Sequence, residues 1–227
     1  MHWRLNPFDP HPPTLNLPII QEDQTHALHL AGGLEAILRQ WTKGHASAAR
    51  KASREGVTIH LAENDGDWRD YYHIYQDCLR RWNNQVNSSY NWQLFEEMFR
   101  RNSPNIKLWL AKHDQAAIAG AICLYAKNHV AYWHGAALET HFSLRPVHLL
   151  MREIIHAACQ SGFTWFDFNP SGGLAGVAAF KKSFGASVLS CPVIATKSPA
   201  ARLLHQFSNV RKYITTLRSG RTRKTAA

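Results

Sequence analysis

After Asp167 the 227-residue chain has no acidic residue. Ten of its 26 Lys and Arg residues follow that point, so the formal net charge of +10 sits entirely in residues 168–227; the first 167 residues balance. A basic block of this kind favours a polyanion, such as a nucleic acid, a phosphate-bearing ligand or an anionic membrane surface. Cysteine is scarce and dispersed: Cys78, Cys123, Cys159 and Cys191 include no CxxC pair, and the expectation is buried free thiols in a reducing compartment. The fourteen histidines include no HExxH spacing, and no metal site is expected. No apolar run reaches the ~18 residues needed to span a bilayer. The N-terminal MHWRLNPFDPHPPTL lacks a signal-type apolar stretch. The expected location is therefore cytoplasmic, with a peripheral position on the inner face of the membrane as an option.

What is present is a well-punctuated mixed pattern. Residues 1–24 hold five prolines and read as an irregular arm, and THALHL (25–30) fits a short strand. Gly32-Gly33 opens a helical region to Arg54, with Lys43, Arg50, Lys51 and Arg54 on a positive face. VTIHLAE (57–63) alternates as a strand. Asp67 is placed to cap an amphipathic helix through WRDYYHIYQDCLRRWN, whose buried face includes Tyr71, Ile74, Tyr75 and Cys78. NWQLFEEMFRRN is a second helix. Three strands with short polar turns follow (105–113, 117–127, 130–138), predicting an antiparallel meander. Pro146 opens a long helix with an apolar stripe from Val147 to Ala158, closed by Gly162. FTWFDF (163–168) is a strand, GGLAGVAAFKKSFG a short helix, SVLSCPVIATK one or two terminal strands, and 198–227 a basic amphipathic helix and tail. The segments divide as 1–30, 31–197 and 198–227.

This order is similar to that of the Gcn5-related N-acetyltransferase (GNAT) fold. Several motifs resemble its FemABX-like branch, which includes transferases that add amino acids to peptidoglycan precursors. They are ARKASREGV, YYHIYQDCLRR, IAGAICL, VAYWHGAAL, GFTWFDFN, and the spacing Gly176-x-x-x-Phe180-Lys181-x-x-Phe184-Gly185. The resemblance runs from residue 28 to 196. It implies an α/β (α+β) fold with a mixed, mostly antiparallel central sheet, flanked by helices and splayed between its fourth and fifth strands, AYWHGAAL and WFDFN. It implies acyl or aminoacyl transfer to an amine, with acyl-CoA or aminoacyl-tRNA as donor. Two departures accompany it. The first of the family's two GNAT-like halves is largely missing, with residues 1–30 as its only candidate remnant, so a partner subunit is one source of an acceptor site. ETHFSLRPVH also lacks the glycines of a CoA-type phosphate loop.

Transfer to an amine requires proton removal, oxyanion stabilisation and alignment of both substrates. The candidates are Lys181 for the oxyanion or a donor phosphate, His134 and Asp167 as proton acceptors, and Tyr132 as a hydroxyl on the same strand face as His134. Arg145 is a phosphate contact at the long helix, and Phe180 a stacking or core residue; Lys182 is expected to face water. The basic face at 43–54 fits tRNA or a pyrophosphate-linked precursor. The competing reading is a non-catalytic module binding RNA, an anionic membrane or an enzyme through the C-terminal segment.

Overall fold

A computed structural model of the chain describes residues 2–9, 17–82 and 89–195. In chain order the elements are β1 (His2–Arg4), β2 (Ile19–Gln21), β3 (Gln24–His29), α1 (Gly33–Gln40), α2 (His45–Arg54), β4 (Thr58–Leu61), α3 (Asp65–Arg81) and α4 (Trp92–Arg101). Then come β5 (Ile106–His113), β6 (Ala116–Ala126), β7 (His129–Ala137), a 3-10 turn (Glu139–Leu144), α5 (Pro146–Gln160), β8 (Trp165–Pro170), α6 (Ala175–Ser183), β9 (Ser187–Ser190) and β10 (Val193–Ala195). They fall into two compact units, divided at Asp23/Gln24 and Ser190/Cys191. In the smaller, β10 pairs antiparallel with both β1 and β2, and Arg4 bonds Asp23 at 2.6 Å. The segment expected as a C-terminal helix, 198–227, lies outside the described residues.

The larger unit is a seven-stranded sheet in the order β4-β5-β6-β7-β8-β3-β9. The meander β4 to β7 is antiparallel throughout, as its short turns predict, and the β7–β8 pair is parallel. The sequence division at residue 30 placed THALHL in the arm; β3 instead lies in this sheet, antiparallel to both β8 and β9. Its buried run from Thr25 to Ala27 and Leu28 explains why.

The two sheet faces follow the period-2 alternation of the strands. On β6, Ala119, Ala121 and Cys123 enter a core with Leu150, Met151, Ile154 and Ile155 of α5 and with Ala49 and Ala52 of α2. Ile122 enters the opposite core with Tyr71, Ile74 and Tyr75 of α3 and Phe95 of α4. Each fully buried Ile or Met of α5 contributes about 1.5–3 kcal/mol of transfer free energy. The apolar stripe of α5 is therefore its docking face, and Pro146 suits its first turn because no helical partner awaits its missing N–H.

Two local expectations change. The helical region 32–54 is two helices, because Gly44 takes a left-handed φ of 99° before α2. The cap of α3 is Asn64, whose side chain accepts from Asp67 N at 3.0 Å. Asp67 reaches back instead, accepting from Glu63 N at 2.9 Å and from Lys112 Nζ at 2.8 Å.

Candidate active site

The parallel β7–β8 ladder is short. It joins His129 to Trp165, Val130 to Phe166 and Ala131 to Asp167, and ends there. Just beyond that point both strands carry a bulge against their other neighbour. On β7, Tyr132 and His134 face the consecutive residues Cys123 and Ile122, so Trp133 is the extra residue. On β8, Asp167 and Pro170 face Ala27 and Thr25, so Phe168 and Asn169 oppose the single residue His26. A bulge bends its strand and raises its twist. Two of them, one in each lip, turn the strands away from each other. The gap is a cavity of about 990 Å3, bordered by Tyr132–Gly135 on one lip and Phe168–Pro170 on the other. Leu174–Val177, Phe180 and Lys181 close it on the α6 side, and Tyr75, Arg81, Trp82 and Tyr90 give it an aromatic wall. Its described lining contains no carboxylate.

Asn169 ties the lips together. Its Nδ2 donates to the Tyr132 carbonyl at 2.8 Å, across the point where the ladder stops. Its backbone sits at φ 62°, a left-handed conformation that asparagine tolerates better than most residues. Its N–H donates to Asp167 Oδ1 at 2.9 Å, and its carbonyl accepts from Lys181 Nζ at 2.5 Å. Asn169 was not singled out from the sequence; the clue available was an Asn followed by Pro-Ser-Gly-Gly, a run of turn formers at a strand end.

The predicted residues divide on this geometry. Lys181 is buried, at 4% exposure, and lines the cleft, whereas its neighbour Lys182 is exposed as expected. Phe180 is half-buried, contacts Phe184 edge-on at 5.0 Å and lines the cleft. Phe166 and Phe168 enter the core, so Asp167 points to the other face of β8. There it accepts from Thr25 Oγ1 and Asn169 N, away from the cleft lining. Burial raises its pKa, against the opposing pull of those bonds. Asp167, expected as a proton acceptor, thus bonds to Thr25 and Asn169 and is not among the residues that line the cleft.

Tyr132 and His134 do not share a face. The bulge at Trp133 breaks the alternation: Tyr132 packs with the α5-side core, beside Phe168, and His134 lies among Tyr71, Tyr75 and Phe95 on the α3 side. The Tyr132 phenol folds over Gly135, where a Cβ would fall 1.7 Å from its oxygen. Burial pushes the Tyr132 pKa well up, so the phenol stays protonated. His134 accepts or donates at Nδ1 with Tyr71 Oη at 2.5 Å, and burial lowers its pKa to about 4. The ring is neutral near pH 7.

Arg145 lies elsewhere, at the start of α5, in a left-handed conformation at φ 57°. It lines two further pockets. The first, about 560 Å3, shares Gly176 and Phe180 with the cleft and extends to His45, Arg145 and His148. The second, about 530 Å3, gathers Lys43, Lys51, Arg54 and Arg145 with the same two histidines. The structure thus brings together Lys43, just before α2, and Lys51 and Arg54 of α2, three of the four bases expected on one positive face; Arg50 does not line the pocket. His45 and His148 meet edge-on at 4.6 Å. Burial, then the nearby His45 and Arg145 charges, lowers the His148 pKa to about 4. The turn that lacks glycine uses its amides internally, with His141 N bonded to Leu138 O and Arg145 N to Phe142 O. A phosphate here meets side-chain cations rather than an amide nest. Among the described residues there is no cluster of three metal-ligating side chains.

Residues 39–182 match the family profile described as an Acetyltransferase (GNAT) domain. The chain belongs to the GNAT family. Three solved structures share the fold of this GNAT domain. FemX superposes with a TM-score of 0.67 at 14% identity, over 81% of this chain and 63% of that one. The C-terminal domain of a putative lysylphosphatidylglycerol synthetase from Agrobacterium fabrum gives 0.57 at 13%, over 84% and 65%. L-PGS from Bacillus licheniformis gives 0.55 at 9%, over 93% and 66%. At these identities the likeness is one of fold alone, and this chain spans less than two thirds of each of the three. No curated protein matches. No helix among the described residues is long and apolar enough to cross a membrane.

Proposed function

We propose that this GNAT domain transfers an acyl or aminoacyl group from a phosphate-bearing donor, acyl-CoA or aminoacyl-tRNA, to an amine. The observation that carries the reading is a row of three neighbouring pockets: the splayed β7–β8 gap shares Gly176 and Phe180 with the second, which shares His45, Arg145 and His148 with the basic pocket at the α5 N-terminus. The row has the two ends such a donor needs. An aromatic-walled cleft takes the reactive carbonyl, and a cationic pocket takes the phosphates. The α5 N-terminus adds the favourable end of its dipole. In this reading Arg145, Lys43, Lys51 and Arg54 hold donor phosphates, and Phe180 packs against the donor where the two cavities join. Lys181 acts chiefly by holding Asn169, and so the cleft shape, while adding positive potential to its lining. Asp167 and Tyr132 shape the two lips. The likeness to FemX and to a lysylphosphatidylglycerol synthetase domain favours amino acids as the group moved, and a cell-envelope peptide or lipid amine or hydroxyl as the partner to assay first.

Incubating the pure protein with labelled aminoacyl-tRNA and, separately, with labelled acetyl-CoA, against peptidoglycan precursors and small amines, tests the reading. Label should move to the acceptor from one donor, and Gly176→Trp should stop it. A Cβ at Gly176 meets open space, so the tryptophan starts without a backbone clash at a residue that lines both cavities. Donor binding that survives Gly176→Trp but vanishes on deleting residues 198–227, with no transfer by the intact chain, would mark a binding module instead.

A further inference from the structure

The side of His134 that faces the interior decides which of its ring nitrogens carries the proton. Tyr71 on α3 is fully buried, and its hydroxyl lies 2.5 Å from His134 Nδ1. Among the described residues the hydroxyl has no other hydrogen-bonding partner. Burial holds the Tyr71 pKa well above 10, so the oxygen keeps its proton. A buried O–H with one polar neighbour donates to it, since the alternative is an unmade hydrogen bond in the interior. Nδ1 is therefore the acceptor. In a neutral imidazole the other nitrogen then carries the hydrogen. His134 Nε2 has no partner among the described residues, and it is absent from the sealed, unpartnered nitrogens of the interior. It opens into the cleft that His134 lines.

The ring is held firmly in this pose. Tyr75, Tyr90 and Phe95 lie edge-on to it at 4.6, 5.9 and 6.0 Å, and Trp133 is tilted against it at 5.4 Å. The titratable groups around it are tyrosines of α3 and of the segment before α4; the cations of the same cleft are Arg81 and Lys181. Tyr71 is seated by Gly120 of β6, where a Cβ would fall 2.5 Å from its ring.

We infer that Tyr71 and His134 form a dyad presenting a neutral N–H donor to the carbonyl of the transferred group, with His134 as catalytic residue and Tyr71 as positioning residue. This rests on the transferase reading and reverses the role expected for His134, which was to accept the amine proton. The neutral amine attacks the carbonyl carbon and forms the C–N bond, and the C=O π pair moves onto oxygen. Nε2–H donates a hydrogen bond to that oxyanion and keeps its proton. The pair returns, and the bond to the donor sulfur or ribose oxygen breaks. The proton lost by the amine ends on that leaving atom, through solvent. A neutral imidazole serves here as an electrophile, a role its suppressed basicity suits.

Nitrogen-15 NMR of the imidazole rings in the free, full-length protein reads the tautomer directly. The His134 signals should show Nε2 protonated and Nδ1 bare at pH 7, and Tyr71→Phe should shift the Nδ1 signal. The kinetic arm compares side chains. His134→Gln carries an amide N–H close to the Nε2 position and should keep most of kcat. His134→Ala should lose roughly 10²–10³ in kcat with KM little changed, the loss typical of one oxyanion donor. Tyr71→Phe should lower kcat by less than His134→Ala does, at an unchanged far-UV spectrum. An Nδ1-protonated ring in an active enzyme, or His134→Gln as inactive as His134→Ala, overturns the dyad while leaving the transferase reading intact. The expected tautomer in a chain that transfers nothing from either donor overturns the transferase reading and the catalytic role together.

Discussion

Asn169 is the residue whose replacement separates the forces that hold the two lips. Its side chain bridges from β8 to the Tyr132 carbonyl past the end of the ladder, at 2.8 Å, and its backbone occupies φ 62°. Asn169→Ala removes the bridge, worth about 0.5–1.5 kcal/mol. It also leaves the left-handed backbone with alanine, which lacks the short polar side chain that lets asparagine tolerate that region, at about 1–2 kcal/mol. The two together come to roughly 1.5–3.5 kcal/mol, or about 3–14 °C in Tm for a domain of this size. Asn169→Gly removes the bridge and relieves the backbone, at the expense of about 0.4–1 kcal/mol of extra chain entropy. The glycine variant should therefore be the milder of the two in stability. Both should weaken donor binding alike, since both free the lips. Urea unfolding gives the first comparison and calorimetric titration of the donor the second. If glycine proves as destabilising as alanine, the left-handed backbone is not the second term. If either variant binds donor as the wild type does, the Asn169 bridge does not set the cleft.

The remaining predictions concern charge and protonation. Lys181→Met leaves the Asn169 carbonyl without its buried donor, and should cost about 1.5–3 kcal/mol in urea unfolding, the range of a charge-assisted bond; an exposed-lysine effect near zero would contradict it. His134 titrates near 4 when folded and near its ordinary 6.5 when unfolded. Below 6.5 the unfolded chain thus binds a proton that the folded chain refuses. Its contribution is full above about pH 6.5 and is lost as pH falls toward 4, amounting to roughly 2 kcal/mol by pH 5. The urea midpoint should drop between pH 7 and pH 5 by less in His134→Gln than in the wild type, and equal drops would refute it. If the donor is a tRNA, Lys51→Ala and Arg54→Ala should each weaken binding and reduce the log–log salt slope by about one; a filter-binding series from 50 to 200 mM salt would read it, and an unchanged slope would remove α2 from the phosphate path.

Much of the sheet was legible because its signals are local. Alternation at 57–63, the polar turns of the meander and the Pro146 start of α5 each fix an element without tertiary information. The position of β3 was not legible, since six residues with two histidines state their strand character but not their neighbours. The bulges were hidden for a related reason. An extra residue at Trp133 appears only when β7 is laid against β6, and it reverses which face His134 occupies. The same holds for Lys181. Helical spacing shows it beside Lys182 on a short amphipathic helix, but its burial depends on Asn169 standing across from it. Tyr71 read as a core aromatic, which it is; its hydroxyl acquires a role only through a histidine 63 positions away.

The central claim is that the gap between β7 and β8 receives the group that is transferred. A crystal structure of the protein with a non-transferable donor, an acyl-CoA thioether in one soak and an aminoacyl-adenosine amide in another, tests it most directly. The account predicts the acyl or aminoacyl carbon between residues 132–135 and 169–181, with the carbonyl oxygen within hydrogen-bonding distance of His134 Nε2 and the nucleotide end toward Arg145. A donor bound elsewhere, with that gap filled only by water, would contradict it.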